Sequence, residues 1–246
     1  MNVIVEKLSE GKEVHGVLSP SSDPLIVEML GIAGYDYFMI EGEHRNPTNI
    51  EEVCRAAEAV GIIPLARVRS NDPKLILQFL DTGLKGIMLP GVREAGEVVS
   101  FVQAMKYPPD GIRGFGPSRA NNFLMDNQTV KSITEEANQD LISIVQIETK
   151  EAYENLGEIL NVGGIGTIVV GTADLSLSMG IESSGDQMQT IVTEIIGSCN
   201  RKEIPVGLVA SHPQEIKLWR NKGVKFFIDT LGSILKRGSN QESETR

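Results

Sequence analysis

Eight short apolar runs, each followed by a helix-patterned segment, constrain this chain more than any other feature. They are "VHGVLS" (Val14–Ser19), "YFMIEGE" (Tyr37–Glu43), "IPLARV" (Ile63–Val68) and "GIMLPG" (Gly86–Gly91). The second four are "ISIVQIE" (Ile142–Glu148), "GTIVVGT" (Gly166–Thr172), "PVGLVA" (Pro205–Ala210) and "KFFIDT" (Lys225–Thr230). Most are continuous rather than alternating, as in strands covered on both faces. Segments such as "NIEEVCRAAEAVG", "DPKLILQFLDTG" and "HPQEIKLWRNKG" lie between them and read as amphipathic helices. Several open on Asp, Asn, Ser or Thr near a proline and close on Gly, as helix caps require. Eight such alternations in 246 residues predict an α/β fold, a (β/α)₈ TIM barrel. One domain over residues 1–236 and a polar, flexible tail over 237–246 follow from this. A doubly wound sheet is the rival, but neither GxGxxG nor GxxxxGK[ST] follows a strand.

The formal charge of −10, with no basic stripe, argues against nucleic acid as a partner. No run of about 18 apolar residues is present, so no membrane span is expected. The opening "MNVIVEKLSEGKEVHG" lacks the pattern of a signal peptide. A soluble, acidic, cytoplasmic protein is the expectation. Cys54 and Cys199 sit in helix-like segments outside any CxxC spacing and read as core or surface thiols in a reducing compartment. The longest connection, "KYPPDGIRGFGPSRANNFLMDNQTVKS", falls between the fourth and fifth strands. Connections of that length are usually functional or interfacial.

In a barrel of this kind, chemistry sits at the carboxyl ends of the strands. The second strand delivers Glu41, Glu43 and His44 there, the third Arg67, the fifth Gln146 and Glu148, and the sixth Thr172 and Asp174. Convergent carboxylates need a cation, a metal or a proton, because burying them alone is costly. Glu148 and Asp174, on adjacent strands, suit one divalent ion; all-oxygen ligation favours Mg²⁺, Mn²⁺ or Co²⁺ over a closed zinc site. The alternative is that each acid caps the following helix. His44 reads as a general acid or base beside these groups, or as a solvent or capping histidine. Arg67 needs an anionic partner, either a substrate oxygen or an internal ion pair. His15 and His212 receive no role. Lys85 and Lys225 precede their strands, on the opposite face, so a Schiff-base mechanism is disfavoured.

Taken together, "YDYFMIEGEH", "ARVRSNDP", "LDTGLKGIMLPGV", "YPPDGIRGFG", "VQIET" and "GTADLS" resemble the metal-dependent (class II) pyruvate aldolases of the HpcH/HpaI type, over nearly the whole chain. The resemblance implies a (β/α)₈ barrel whose last helix is exchanged between subunits, in homo-oligomers built as a trimer of dimers. It implies cleavage of a 4-hydroxy-2-oxo acid to pyruvate and an aldehyde through a metal-stabilised pyruvate enolate. Related enolate chemistry is the alternative: citrate-synthase-like condensation, acyl-CoA lysis or oxaloacetate decarboxylation. By position it makes Glu148 and Asp174 the metal ligands with Gln146 nearby, and Glu41 and Glu43 surrounding groups. Arg67 would hold the keto oxygen. His44 would act through a water on the aldol hydroxyl, oriented by Asp81. Because Asp81 ends a helix at the barrel's opposite end, that dyad requires a neighbouring chain. The turn Thr172–Ala173–Asp174 would bind the pyruvate carboxylate through the amides of Ala173 and Asp174, and Leu208 would line the pocket by the pyruvate methyl. The chain departs from the family at Glu41, usually Asp, and at Thr172, often Pro.

Overall fold

The computed structural model describes residues 2–243, with side chains described through residue 240. Eight parallel strands close into a barrel in sequential order. They are β1 (Val14–Ser19), β2 (Tyr37–Gly42), β3 (Ile63–Val68), β4 (Gly86–Leu89), β5 (Ile142–Ile147), β6 (Thr167–Val170), β7 (Val206–Val209) and β8 (Phe226–Thr230). Each lies within a run identified above. Where the runs overshoot, at Glu43, Pro90, Glu148 and Gly171, the extra residues form the loops at the carboxyl ends.

Twelve α-helices accompany the described strands. The first, α1 (Val3–Ser9), precedes β1; α2 (Pro24–Ile32), α3 (Ile50–Val60), α4 (Pro73–Asp81) and α5 (Ala95–Met105) follow β1 to β4. The β4–β5 connection adds α6 (Val130–Asp140). Two short helices, α7 (Lys150–Glu154) and α8 (Leu156–Ile159), follow β5. After β6 come α9 (Thr172–Met179) and α10 (Asp186–Arg201), after β7 α11 (Pro213–Asn221), and after β8 α12 (Leu231–Ser243). The capping chemistry is local: Asp23 and Asp72 accept from Leu25 N–H and Lys74 N–H, each just before a proline at the helix start. Helix α12 continues past Arg237 into the segment expected to be a loose tail, held near its middle by Arg237 on Asp229; residues 244–246 lie outside the described residues. It packs against β1 and β8 of its own chain.

Strand alternation divides the apolar residues in two. Val17, Phe38, Ile40, Ala66, Ile87, Val145, Ile168, Val170, Leu208 and Phe227 face outward into the layer between sheet and helices. Tyr37, Met39, Leu65, Met88, Ile144, Val169, Phe226 and Ile228 face inward and fill the lower barrel. Tyr37 and Phe226 stack there with ring centroids 4.6 Å apart. The Tyr37 hydroxyl donates to Phe227 O at 2.8 Å. Helix α1 closes this end with Ile4 and Leu8, and Asn2 Nδ2 ties it down through Lys85 O and Asp140 O. Both cysteines are buried, and burial pushes their thiols up to about 11 for Cys54 and about 12 for Cys199. Among the described residues, no helix is long and apolar enough to cross a membrane.

Candidate active site

Above the apolar plug, the same inward positions turn polar. The β2–β3 register pairs Glu41 with Arg67, which places carboxylate and guanidinium side by side. Arg67 Nη2 bonds Glu41 Oε2, while Nη1 lies 3.1 Å from Glu43 Oε2 in an ion pair too bent to be a hydrogen bond. Arg67 is nine-tenths buried, and its Nε has no partner. The internal ion pair weighed as one reading of Arg67 is thus present, with a donor to spare. Glu41 Oε1 also accepts from the backbone N–H of Glu43 (2.8 Å) and His44 (3.2 Å). Burial pushes the Glu41 carboxyl up, but Arg67 and these two amides outweigh it and hold it below the usual range. Glu43 goes the other way. Burial raises it, and the pull of Arg67 and His44 does not overcome burial plus the nearby charges of Glu41 and Asp174.

Across the mouth, Gln146 ends the inward face of β5 and Glu148 follows it. Glu148 Oε1 accepts from Gly91 N–H at 2.7 Å, and Gln146 Nε2 donates to Oε2. Gly91 has a φ of +66°, so glycine frees the backbone turn that aims its amide at the acid. On the β6 side, Gly171 is obligatory: a Cβ there would stand 2.8 Å from both Glu148 Cβ and Oε2. Glu148 is 6% exposed. Its carboxyl is pushed up to about 7, by burial first and then by the charges of Glu43 and Asp174, against the Gly91 amide and Arg67. Glu43, Glu148 and Asp174 therefore share one electrostatic neighbourhood.

Asp174 lies in the first turn of α9 rather than at a strand end, because β6 stops at Val170 and Gly171 is the helix N-cap. It is exposed and has no side-chain hydrogen bond or ion pair among the described residues. The capping alternative is not what either acid does: α9 has no side-chain cap, and α7 is capped by Thr149. The amides of Thr172, Ala173 and Asp174 come before the first intrahelical donor, Leu175 N–H to Gly171 O, and face a ligand or water.

Three further residues stand outside this cluster, His44 and Asp81 at the rim and the far end where the sequence places them, and Leu208 in the outer layer. His44 is on the rim, its side chain 71% exposed and 3.7 Å from Glu43 Oε2. Asp81 ends α4 at the far end of the barrel, bonded by Arg113 Nη2 at 2.8 Å, so one chain does not join it to His44. Leu208 is buried in the layer between sheet and helices and is turned away from the mouth. Strand period decides this: its neighbour Val209, paired with inward-facing Ile228, is 45% exposed at the mouth. The continuous run "VGLVA" carries no alternation from which that parity can be read. The lysines fall as expected, Lys85 and Lys225 preceding β4 and β8.

Whether a divalent cation fits is answered by the donors. Gln146 Oε1 is buried with no hydrogen-bond partner, Glu148 is charged only against its surroundings, and Asp174 has an open carboxylate. The set is all oxygen, open to solvent and short of positive charge, which fits a hard divalent ion. Among the described residues, no cluster of three or more His, Cys, Asp or Glu side chains closes round one point. A cation there would be held by few protein groups and would leave room for substrate.

Buried acids, an arginine and a helix N-terminus meeting at the carboxyl ends of eight parallel strands are the active-site architecture of a barrel enzyme. The sequence model of the HpcH/HpaI aldolase/citrate lyase family matches residues 15–235, and the chain belongs to that family, making it a carbon–carbon lyase of the aldolase kind. A 4-hydroxy-2-oxo-heptane-1,7-dioate aldolase of Escherichia coli is 32% identical over 224 residues, 89% of this chain and 84% of the relative. An HpcH/HpaI aldolase from Desulfitobacterium hafniense superposes with a TM-score of 0.90 at 27% identity, over 98% of this chain and 95% of that one. The citrate synthase SbnG superposes with a TM-score of 0.86 at 30% identity, over 98% and 96%.

Proposed function

We propose that the chain is a divalent-metal-dependent aldolase that cleaves a 4-hydroxy-2-oxo acid to pyruvate and an aldehyde. The observation that carries this reading is Glu148, a buried carboxylate raised to about 7 beside two further acids. Glu148 and Asp174 would hold Mg²⁺, Mn²⁺ or Co²⁺, with Gln146 beside them. When bound, the ion supplies Lewis-acid polarisation to the carbonyl and carboxylate of the 2-oxo acid.

The chain's own groups do the rest. The first-turn amides of α9 receive the substrate carboxylate, where the helix dipole favours an anion. Arg67, held by Glu41 and Glu43, offers its unpaired Nε and flanking N–H groups to the oxygen that gains charge. His44, through a water, takes the proton of the C4 hydroxyl; C3–C4 then breaks, and its electron pair stays on C3 as pyruvate enolate while C4 leaves as the aldehyde carbonyl. Asp81 of a neighbouring copy would orient His44, so the active form is a homo-oligomer, in which exchange of α12 between copies is part of the same proposal. Val209, at the mouth, replaces Leu208 as the apolar neighbour of the pyruvate methyl.

A panel of aldehydes offered with pyruvate, after EDTA and with each metal restored, tests this. Turnover should vanish with EDTA and return with at least one divalent ion; turnover unaffected by chelation sinks the metal-dependent reading. The likeness to the citrate synthase SbnG favours a second reading, in which the same enolate attacks or leaves a different partner. Turnover of oxaloacetate or an acyl-CoA, with none of any 4-hydroxy-2-oxo acid, selects it.

A further inference from the structure

The run "YPPDGIRGFG" has no part in the chemistry described so far, yet it supplies one half of a buried charge pair. Arg113 Nη2 donates to Asp81 Oδ1 at 2.8 Å. The two side chains differ in exposure, 2% for the arginine and 33% for the acid. That is the only hydrogen bond of the Arg113 guanidinium among the described residues, and its Nε is buried without a partner. A guanidinium this deep needs its counter-ion, so the acid is fixed at Oδ1. Asp81 Oδ2 has no partner among the described residues.

The arginine is held on every side. Its guanidinium carbon lies 4.5 Å from the centroid of the Tyr107 ring, a cation–π contact on the ring's face. Asn138 of α6 pins Tyr107 at both backbone groups: Nδ2 donates to Tyr107 O at 3.0 Å, and Oδ1 accepts from its N–H at 2.8 Å. Arg113 N–H donates to Lys106 O at 2.8 Å. Gly111 lets the chain pass that close, since a Cβ there would stand 2.3 Å from Lys106 O. The same connection leaves Ile112, Phe115 and Met125 exposed, with Phe115 edge-on to Tyr107 at 5.7 Å. An apolar fringe beside a carboxylate with one open oxygen is the make-up of a protein-facing surface.

We propose that Arg113 is a positioning residue that acts in trans, aiming Asp81 Oδ2 at His44 of a second copy of this chain. One imidazole nitrogen then donates to Oδ2, and the other takes the hydroxyl proton through water. An ion pair at one carboxylate oxygen, backed by a pinned ring, leaves only the other oxygen to the neighbour, so a single geometry of the dyad is selected. His44 needs such a partner. Its exposed side chain reaches no closer than 3.7 Å to Glu43 Oε2 and makes no hydrogen bond within its own chain among the described residues.

The inference rests on the His44–Asp81 pairing of the proposed function, and mixed oligomers of the metal-loaded enzyme separate the two. H44A is co-expressed with D81N, and H44A with R113Q, on separable tags. Alone, each variant should be slowed at least about tenfold. In each mixture, some sites draw His44 from one chain and Asp81 with Arg113 from the other. Those sites should restore about a quarter of the wild-type rate, their share in random assembly. Recovery with D81N but none with R113Q overturns the Arg113 assignment and leaves the dyad standing. No recovery in either mixture overturns both. Should R113Q not assemble, R113K carries the test: slowed alone and restored by H44A, or the inference fails. A second readout needs no turnover. The ¹⁵N signals of the His44 ring, identified by their loss in H44A, should change alike in D81N and R113Q; wild-type signals in R113Q overturn the inference. Matching changes in a protein that turns over no 2-oxo acid sink the aldolase reading and leave the positioning role in place.

Discussion

The two halves of the barrel interior are built on opposite rules. In the lower half every group is matched: Tyr37 and Phe226 stack, the one phenol finds Phe227 O, and α1 seals the end with Ile4 and Leu8. In the upper half the same alternation delivers Glu41, Arg67, Gln146 and Glu148, and Arg67 Nε, Glu43 Oε2 and Gln146 Oε1 are left without hydrogen-bond partners. A single strand crosses from one regime to the other in two residues, as β2 does from Met39 to Glu41 and β3 from Leu65 to Arg67. Stability is concentrated below and chemistry above, a division of labour common to barrel enzymes. The unmatched groups at the mouth cost stability that a ligand can return.

The sharpest way to break this contrast is Arg67→Ala. Loss of a preorganised donor to a developing oxyanion costs about 10²–10³ in rate, and here the ion-pair partner of Glu41 goes as well. Cleavage and exchange of the pyruvate methyl protons should both fall by at least that factor, read on the folded fraction; exchange at the wild-type rate removes Arg67 from the chemistry. Next is a pair of neighbours on β7. Leu208→Ala empties an outward core site and should cost about 2–4 kcal/mol of stability in thermal melts. Val209→Ala, at the mouth, should spare the melt and change KM for pyruvate. Reversed effects would mean that β7 has the other parity.

The smallest change in stability has the least intuitive sign. Glu148→Gln should abolish turnover yet stabilise the metal-free protein. Its carboxyl is raised from an ordinary value near 4.5 to about 7 in the fold. The folded state therefore binds more protons than the unfolded one between those values, and stability falls as pH rises through that window. The glutamine removes that loss, worth about 1–3 kcal/mol at neutral pH, and Gln146 can turn its unpaired Oε1 toward the new amide. Melts of both proteins in EDTA between pH 4.5 and 7.5 should converge at the acid end and separate above it. Parallel curves throughout would mean that the Glu148 carboxyl is not strained.

Most of this architecture was legible because buried parallel strands announce themselves as continuous apolar runs, and polar residues at their ends stand out. That is why Glu41, Arg67, Gln146 and Glu148 could be gathered at one mouth from spacing alone. The same continuity hid the parity of Leu208 and Val209, since a run apolar on both faces does not say which face is which. "GTADLS" both ends a strand and starts a helix, and only the pairing of β6 shows that the sheet stops at Val170 and leaves Asp174 in the first turn of α9. The seal made by α1 was missed because seven residues give too little periodicity to register, although Asn2 caps the helix through Ile4 N–H. Arg113 on Asp81 links residues 32 apart and had no local signature.

Position 171 has a further consequence for engineering. The Glu148 carboxylate, just past β5, is held in place on one flank by the bare backbone of Gly171, between β6 and α9, where even a methyl group would collide with it. That flank offers no side chain to trim, lengthen or recharge. If the proposed cation site is right, retuning it must proceed from Gln146, from the α9 acid or from the Gly91 loop, and libraries that vary residue 171 should return mostly inactive clones.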